Sequence, residues 1–171
     1  MSVQAIDVRE LLEHPGTSRA VHLREPLPGL HTELVDVPEE RPVEGDLLLE
    51  GVVEGIYVRG SVGAEVAMRC ARCLKPFEQR VEVAVAELVP REAGPDDDYA
   101  ITPELTIDPE PLVRDAVALE LPFAPLCMPT CQGLCSRCGG DRNLLECACT
   151  EEIDPRWAAL EQLEGLIEDE G

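Results

Sequence analysis

Residues 56–70 run Ile56-Tyr57-Val58-Arg59-Gly60-Ser61-Val62-Gly63-Ala64-Glu65-Val66-Ala67-Met68-Arg69-Cys70. Ile56, Val58, Val62, Ala64, Val66 and Met68 fall on one parity, while Tyr57, Arg59, Ser61, Glu65 and Arg69 fall on the other. Successive side chains of an extended strand point to opposite faces, so this alternation predicts a half-buried β-strand. On its N-terminal side, Leu47–Val53 is apolar enough for a partner strand, with Gly55 available for the turn. On its C-terminal side, Val81–Val89 is rich in β-branched residues, and Glu82 and Glu87 mark an exposed face. The three segments together predict an antiparallel meander.

Further out, Ala20–Arg24 suits a strand, after which Pro26, Pro28 and Gly29 break the chain ahead of a proline- and glutamate-rich connection at residues 38–45. Residues 7–13 fit a short helix stopped by His14, Pro15 and Gly16. Asp108-Pro109 offers a capping carboxylate and a proline at the first helical position. It predicts a helix from about Pro109 to Glu120, with Leu112, Val113, Ala116, Val117 and Leu119 as its apolar face and Pro122 as its end. The same start recurs at Asp154-Pro155, where Trp157, Leu160, Leu163 and Ile167 line one side of a last helix, to be packed on the domain or docked on a partner. Residues 91–98 make an acidic loop, more fitting for a solvated connection than for a metal or partner site. The expected fold class is α+β: a mainly antiparallel β-sheet with two or three helices and a cysteine-rich zinc-binding module. Residues 1–45 would pack on a main domain of sheet and helix at 46–126, followed by the zinc module and C-terminal helix at 127–171, all as one compact unit.

Composition narrows the function. The 171 residues hold 14 Lys and Arg against 35 Asp and Glu, a formal net charge of -21 that repels phosphate backbones wherever salt does not screen it. Such acidity serves solubility alone or a surface that holds a basic protein partner. Aromatic residues are 3% of the chain, so the core is aliphatic and stacking platforms for bases are scarce. The N-terminus lacks the basic stretch and apolar run of a secretory signal, and no apolar stretch approaches the roughly 20 residues of a membrane-spanning helix. These features predict a cytoplasmic protein without a membrane partner.

Eight cysteines in such a compartment are kept reduced, and their clustering points to metal before disulfides. Cys70-Ala71-Arg72-Cys73 is a C-x2-C pair at the expected tip of a hairpin. The second cluster spans Cys127, Cys131, Cys135, Cys138, Cys147 and Cys149, with Gly139 directly after Cys138. Zinc takes four soft ligands in a tetrahedron, and glycine after the pair lets backbone amides turn toward the sulfurs. Cys135, Cys138, Cys147 and Cys149 make a complete local site, leaving Cys70, Cys73, Cys127 and Cys131 for a second. A single zinc on Cys127, Cys131, Cys135 and Cys138 is the other division. An all-cysteine set implies one or two structural ions, since catalytic zinc keeps a position open for water.

Enzyme readings find little support. His14, His22 and His31 all lie near the N-terminus, without an H-x-E or H-E-x-x-H pattern, a Walker loop or G-x-G-x-x-G. A thiol-disulfide redox protein using Cys70 and Cys73 is the alternative, although its thiolate would belong at a helix N-terminus and not between antiparallel strands. Arg59, Arg69, Arg72, Lys75 and Arg80 gather around the first cysteine pair, as candidate RNA contacts or as partners of the neighbouring glutamates.

Three segments resemble the YceD family of large ribosomal RNA subunit accumulation proteins: Cys70-Ala71-Arg72-Cys73-Leu74-Lys75-Pro76-Phe77, Asp108-Pro109-Glu110-Pro111-Leu112-Val113-Arg114-Asp115, and Leu121-Pro122 followed by Cys131-Gln132-Gly133-Leu134-Cys135-Ser136-Arg137-Cys138-Gly139. Ile153-Asp154-Pro155-Arg156-Trp157 resembles the family's end. The resemblance implies ribosome biogenesis, in synthesis, processing or stability of 23S rRNA, with a ribosomal protein or the assembling large subunit as partner. It carries over no catalytic residue and no small-molecule substrate. The later cysteines are not uniform in the family, so the zinc expectation rests on this chain's own residues.

Overall fold

A computed structural model describes residues 5–95, 97–149 and Arg156, and the chain divides into two compact units, residues 1–131 and 132–171. All helices and strands named below lie in the first unit. In order they are β1 (Ile6–Asp7), α1 (Arg9–Glu13), β2 (Ser18–Glu25), β3 (Val35–Asp36), β4 (Val43–Gly51), β5 (Gly55–Arg69), β6 (Pro76–Pro90), β7 (Thr106–Ile107) and α2 (Pro109–Glu120). The class is α+β, with a mainly antiparallel sheet.

The centre of the sheet is β5, as its alternation predicts: Ile56, Val58, Val62, Ala64, Val66 and Met68 are all buried, whereas Arg59, Ser61 and Arg69 are exposed. On one side it pairs with β6 along its whole length, from Gly55 opposite Pro90 to Arg69 opposite Pro76. Its other side carries β4, from Ile56 opposite Gly51 to Gly63 opposite Glu44, and then the short β3 at Ala67 and Met68. Beyond β4 lies β2, also antiparallel. The expected meander is therefore β4-β5-β6, and β1 and β7 form a separate two-stranded ribbon.

Strand limits differ from expectation in several places. At both ends β2 is longer than Ala20–Arg24, and β4 begins at Val43, inside the connection expected at residues 38–45, because the ladder to β2 reaches Glu25 opposite Val43. Pro76–Arg80 precedes the predicted Val81 start, yet it is strand because β5 extends that far and supplies the ladder. Val52 and Val53 leave β4 for a tight turn, closed by Val52 N–H to the Gly55 carbonyl at 2.9 Å, and Val53 is exposed. Where β4 ends, the Leu11 carbonyl approaches Gly51 so closely that a Cβ there would lie 2.1 Å from it, so only glycine lets α1 seat against the strand.

Capped by Asp108, whose carboxylate accepts the Glu110 N–H at 3.0 Å, α2 places Leu112, Val113 and Val117 in the core. Leu119, expected on that face, is 87% exposed. Two residues past Val117 is roughly 200° around the helix axis, which turns Leu119 away from the core. Tyr99 reaches α2 by donating its hydroxyl to Asp115 at 2.9 Å. Among the described residues no helix is long and apolar enough to cross a membrane. The helix expected from Pro155, with Trp157, Leu160, Leu163 and Ile167, lies outside the described residues.

Candidate metal centres

The turn joining β5 to β6 is the segment Cys70–Lys75, so β5 and β6 hold a C-x2-C pair at their common tip. Within it the Cys70 N–H bonds the Lys75 carbonyl at 2.9 Å, and the Leu74 N–H bonds the Cys70 carbonyl at 2.9 Å. The chain after α2 returns here, with Ala71 N–H on the Pro125 carbonyl at 2.7 Å. That contact delivers Cys127 and Cys131. Cys70 Sγ and Cys131 Sγ are 3.7 Å apart, Cys73 Sγ and Cys127 Sγ are 3.6 Å apart, and all four sulfurs lie within 4.8 Å of one another. Four thiolates on a tetrahedral ion with zinc–sulfur bonds of about 2.3 Å are separated by about 3.8 Å, so the residues present fit such an ion. Phe77 and Leu126 pack around the sulfurs.

In the second unit, Cys135, Cys138, Cys147 and Cys149 also place their sulfurs within 4.8 Å of one another. The knuckle repeats the first one bond for bond: Cys135 N–H to the Gly140 carbonyl at 2.8 Å and Gly139 N–H to the Cys135 carbonyl at 2.9 Å. Leu74 has φ 59° and Gly139 has φ 70°, so both occupy the left-handed region directly after the second cysteine of their pair. At Gly139 that conformation is free of strain, whereas at Leu74 it costs about 1–2 kcal/mol. Asn143 braces this unit by accepting the Gln132 N–H at 2.7 Å, while its amide donates to Asp141 at 2.7 Å. Two tetrads that can hold metal ions are thus present, divided as the sequence arithmetic divides the eight cysteines.

Burial, backbone amides and neighbouring sulfurs set the thiols of each tetrad far apart in pKa. Burial works to raise the Cys70 thiol, but the backbone amides of Cys127, Cys73 and Arg72 outweigh it and bring it down to about 6. The amides of Cys138 and Arg137 bring Cys135 down to about 6 as well. Opposite them, burial and then the neighbouring thiols of Cys73 and Cys70 push Cys127 up to about 12. Hydrogen bonding with Cys138 and Cys135, then burial, pushes Cys149 up to about 12. Like charges so close disfavour one another, and a bound cation would deprotonate its ligands outright.

The candidate RNA contacts are distributed less simply. Arg59 forks onto Glu50 at 2.9 and 3.3 Å, and Arg80 meets Glu82 at 2.6 Å and Glu65 at 3.4 Å. Arg72 donates to the Cys131 carbonyl at 2.9 Å, bracing the first tetrad. Arg69 and Lys75 are exposed at the same end of β5. A sequence reading missed Arg41, which pairs with Glu78 at 2.8 Å. Its partner sits 37 residues away on β6, while Arg41 lies in the connection before β4, so only the tertiary fold brings them together. His22 lies 3.0 Å from Asp46 on neighbouring strands, outside both tetrads.

Comparison with known proteins agrees with the early resemblance. The family model described as large ribosomal RNA subunit accumulation protein YceD matches residues 58–164, which takes in β5 from Val58 onward, β6, α2 and all eight cysteines. An uncharacterized protein of Mycobacterium tuberculosis is 37% identical, over 96% of this chain and 83% of its own length, and one of Mycobacterium bovis matches equally. An uncharacterized protein of Mycobacterium leprae is 33% identical, over 94% of this chain and 77% of its own. No solved structure matches. With more than half of its length under the family model, the chain belongs to the YceD family of large ribosomal RNA subunit accumulation proteins.

Proposed function

We propose that this chain is a non-catalytic, zinc-binding factor of ribosome biogenesis, which acts in the cytoplasm and supports synthesis, processing or stability of the large-subunit rRNA. It does so by binding a ribosomal protein or a pre-ribosomal particle. The observation that carries this reading is the family match over residues 58–164. Zinc is the ion best suited to the donor sets: four cysteine sulfurs each, at separations of 3.6 and 3.7 Å where the thiols pair. A closed four-sulfur shell has no position for water or substrate, which supports a structural ion over a catalytic one. Cys70 and Cys73 face Cys131 and Cys127 instead of a helix N-terminus, which supports ligation over thiol-disulfide exchange.

Charge favours protein over nucleic acid as the direct partner. A net charge of -21 steers toward basic surfaces, and the pairing of Arg59 and Arg80 with glutamates weakens the basic patch around the first cysteine pair. Purification from cells with partners retained tests this. A large-subunit ribosomal protein or pre-ribosomal particle should copurify, and depletion should lower the ratio of large- to small-subunit rRNA. An unchanged ratio would overturn the role. Recovery of RNA alone, lost as salt is raised, would replace protein binding by direct RNA contact.

A further inference from the structure

The two tetrads have the same ligands but different access to solvent. In the first, Cys70, Cys73 and Cys131 are buried at 0%, 5% and 2% exposure, and Cys127 is half-buried. In the second, Cys138 and Cys149 are exposed and Cys147 is half-buried, leaving only Cys135 buried. Their surroundings differ as well. The first unit has a large aliphatic core independent of the metal, whereas in residues 132–149 Cys135 is the only buried hydrophobic residue.

Coordination to a dication holds every ligating sulfur as thiolate, so thiolate character does not distinguish the sites. Oxidation then follows access. We propose that the tetrad of residues 135–149 is a peroxide-sensitive metal-release site, in which Cys138 and Cys149 are oxidised to a disulfide while the tetrad of residues 70–131 keeps its ion. This rests on the zinc occupancy proposed above. Cys138 and Cys149 are the exposed members of the two arms, and their sulfurs lie within 4.8 Å, so a modest approach brings them to bonding distance.

The step balances. One hydrogen peroxide and two protons take two electrons from the two thiolate sulfurs, the O–O bond breaks, an S–S bond forms, and two waters leave. Cys135 and Cys147 remain as thiolates, and two ligands do not retain the ion in competition with solvent and cellular chelators. With Cys135 the only buried hydrophobic residue among residues 132–149, release of the ion also loosens that segment. Peroxide would thereby remove a surface of this chain without disturbing the sheet.

The test uses the full-length, zinc-loaded protein, titrated with hydrogen peroxide in the presence of a chromogenic zinc indicator. Release of one of two zinc equivalents is expected in the first phase, with a Cys138–Cys149 disulfide on peptide mapping and Cys70, Cys73, Cys127 and Cys131 unmodified. Dithiothreitol with zinc should restore the ion. Cys149→Ser should lose the first phase while keeping the slower-released ion. Simultaneous release of both ions, earlier release from the buried tetrad, or loss of the first ion without that disulfide would overturn the inference alone. A chain isolated without zinc would overturn the zinc assignment and this inference together.

Discussion

Replacing Gly139 by alanine should weaken metal binding at the second tetrad by about fourfold. At φ 70° an L-residue pays about 1–2 kcal/mol for the left-handed conformation. A Cβ added there meets nothing within 4 Å, so no steric term is added. The unfolded chain loses freedom when alanine replaces glycine, which returns about 0.4–1 kcal/mol. The net loss lies between about 0 and 1.6 kcal/mol, centred near about 0.8, and about 1.4 kcal/mol corresponds to tenfold in affinity, so about fourfold is the central expectation. Because residues 132–149 bury little besides Cys135, the penalty should appear in zinc affinity and not in unfolding of the sheet. Competition against a calibrated chromogenic chelator, wild type beside Gly139→Ala, measures it. The matching change at the other knuckle, Leu74→Gly, relieves the same strain but adds glycine's entropy, about 0.5–1 kcal/mol. It also forfeits the partial burial of a side chain that is 55% exposed, about 1 kcal/mol more by area. Affinity at the first tetrad should therefore change by less than about fivefold in either direction. Tighter binding in Gly139→Ala would refute the strain argument, and a loss beyond about a hundredfold would show a clash that the open space around Gly139 excludes.

Leu112→Ala should cost about 2–5 kcal/mol in denaturant unfolding, because Leu112 is fully buried on α2, whereas Leu119→Ala on the same helix should be near neutral. Tyr99, pushed up to about 12 by burial and then by its bond to Asp115, should ionise late in a titration followed near 295 nm, and Asp115→Asn should bring it down. Its folded pKa is raised above that of a free tyrosine, so its contribution to stability is complete below about pH 10 and is lost as pH rises through about 12. Unfolding curves over that window should show the loss in wild type and a smaller one in Asp115→Asn.

The central strand was legible because one face of β5 is buried and the other wet, which writes a period of two into the sequence. The first third of β6 was not, because Glu78-Gln79-Arg80 breaks the alternation and the segment is strand only through pairing with β5. Two-residue strands such as β3 carry no periodic signal at all. Leu119 was misplaced by counting apolar residues without turning the helix. The division of the cysteines was legible because eight thiols fall into a local set of four and a remainder of four. What did not show was that Leu74 stands in for a glycine, since nothing in its identity suggests a positive φ. The fork of Arg59 on Glu50 was equally hidden, because it depends on the β4–β5 register, which places Leu48 opposite Arg59 and Glu50 one diagonal away.

Native mass spectrometry of the full chain, isolated without added metal and paired with thiol titration before and after denaturation, addresses the metal assignment directly. Two zinc ions per folded chain, with the cysteine thiols unreactive until the ions are removed, is the expected result. A folded chain that carries no metal and offers all eight thiols to the reagent would contradict it.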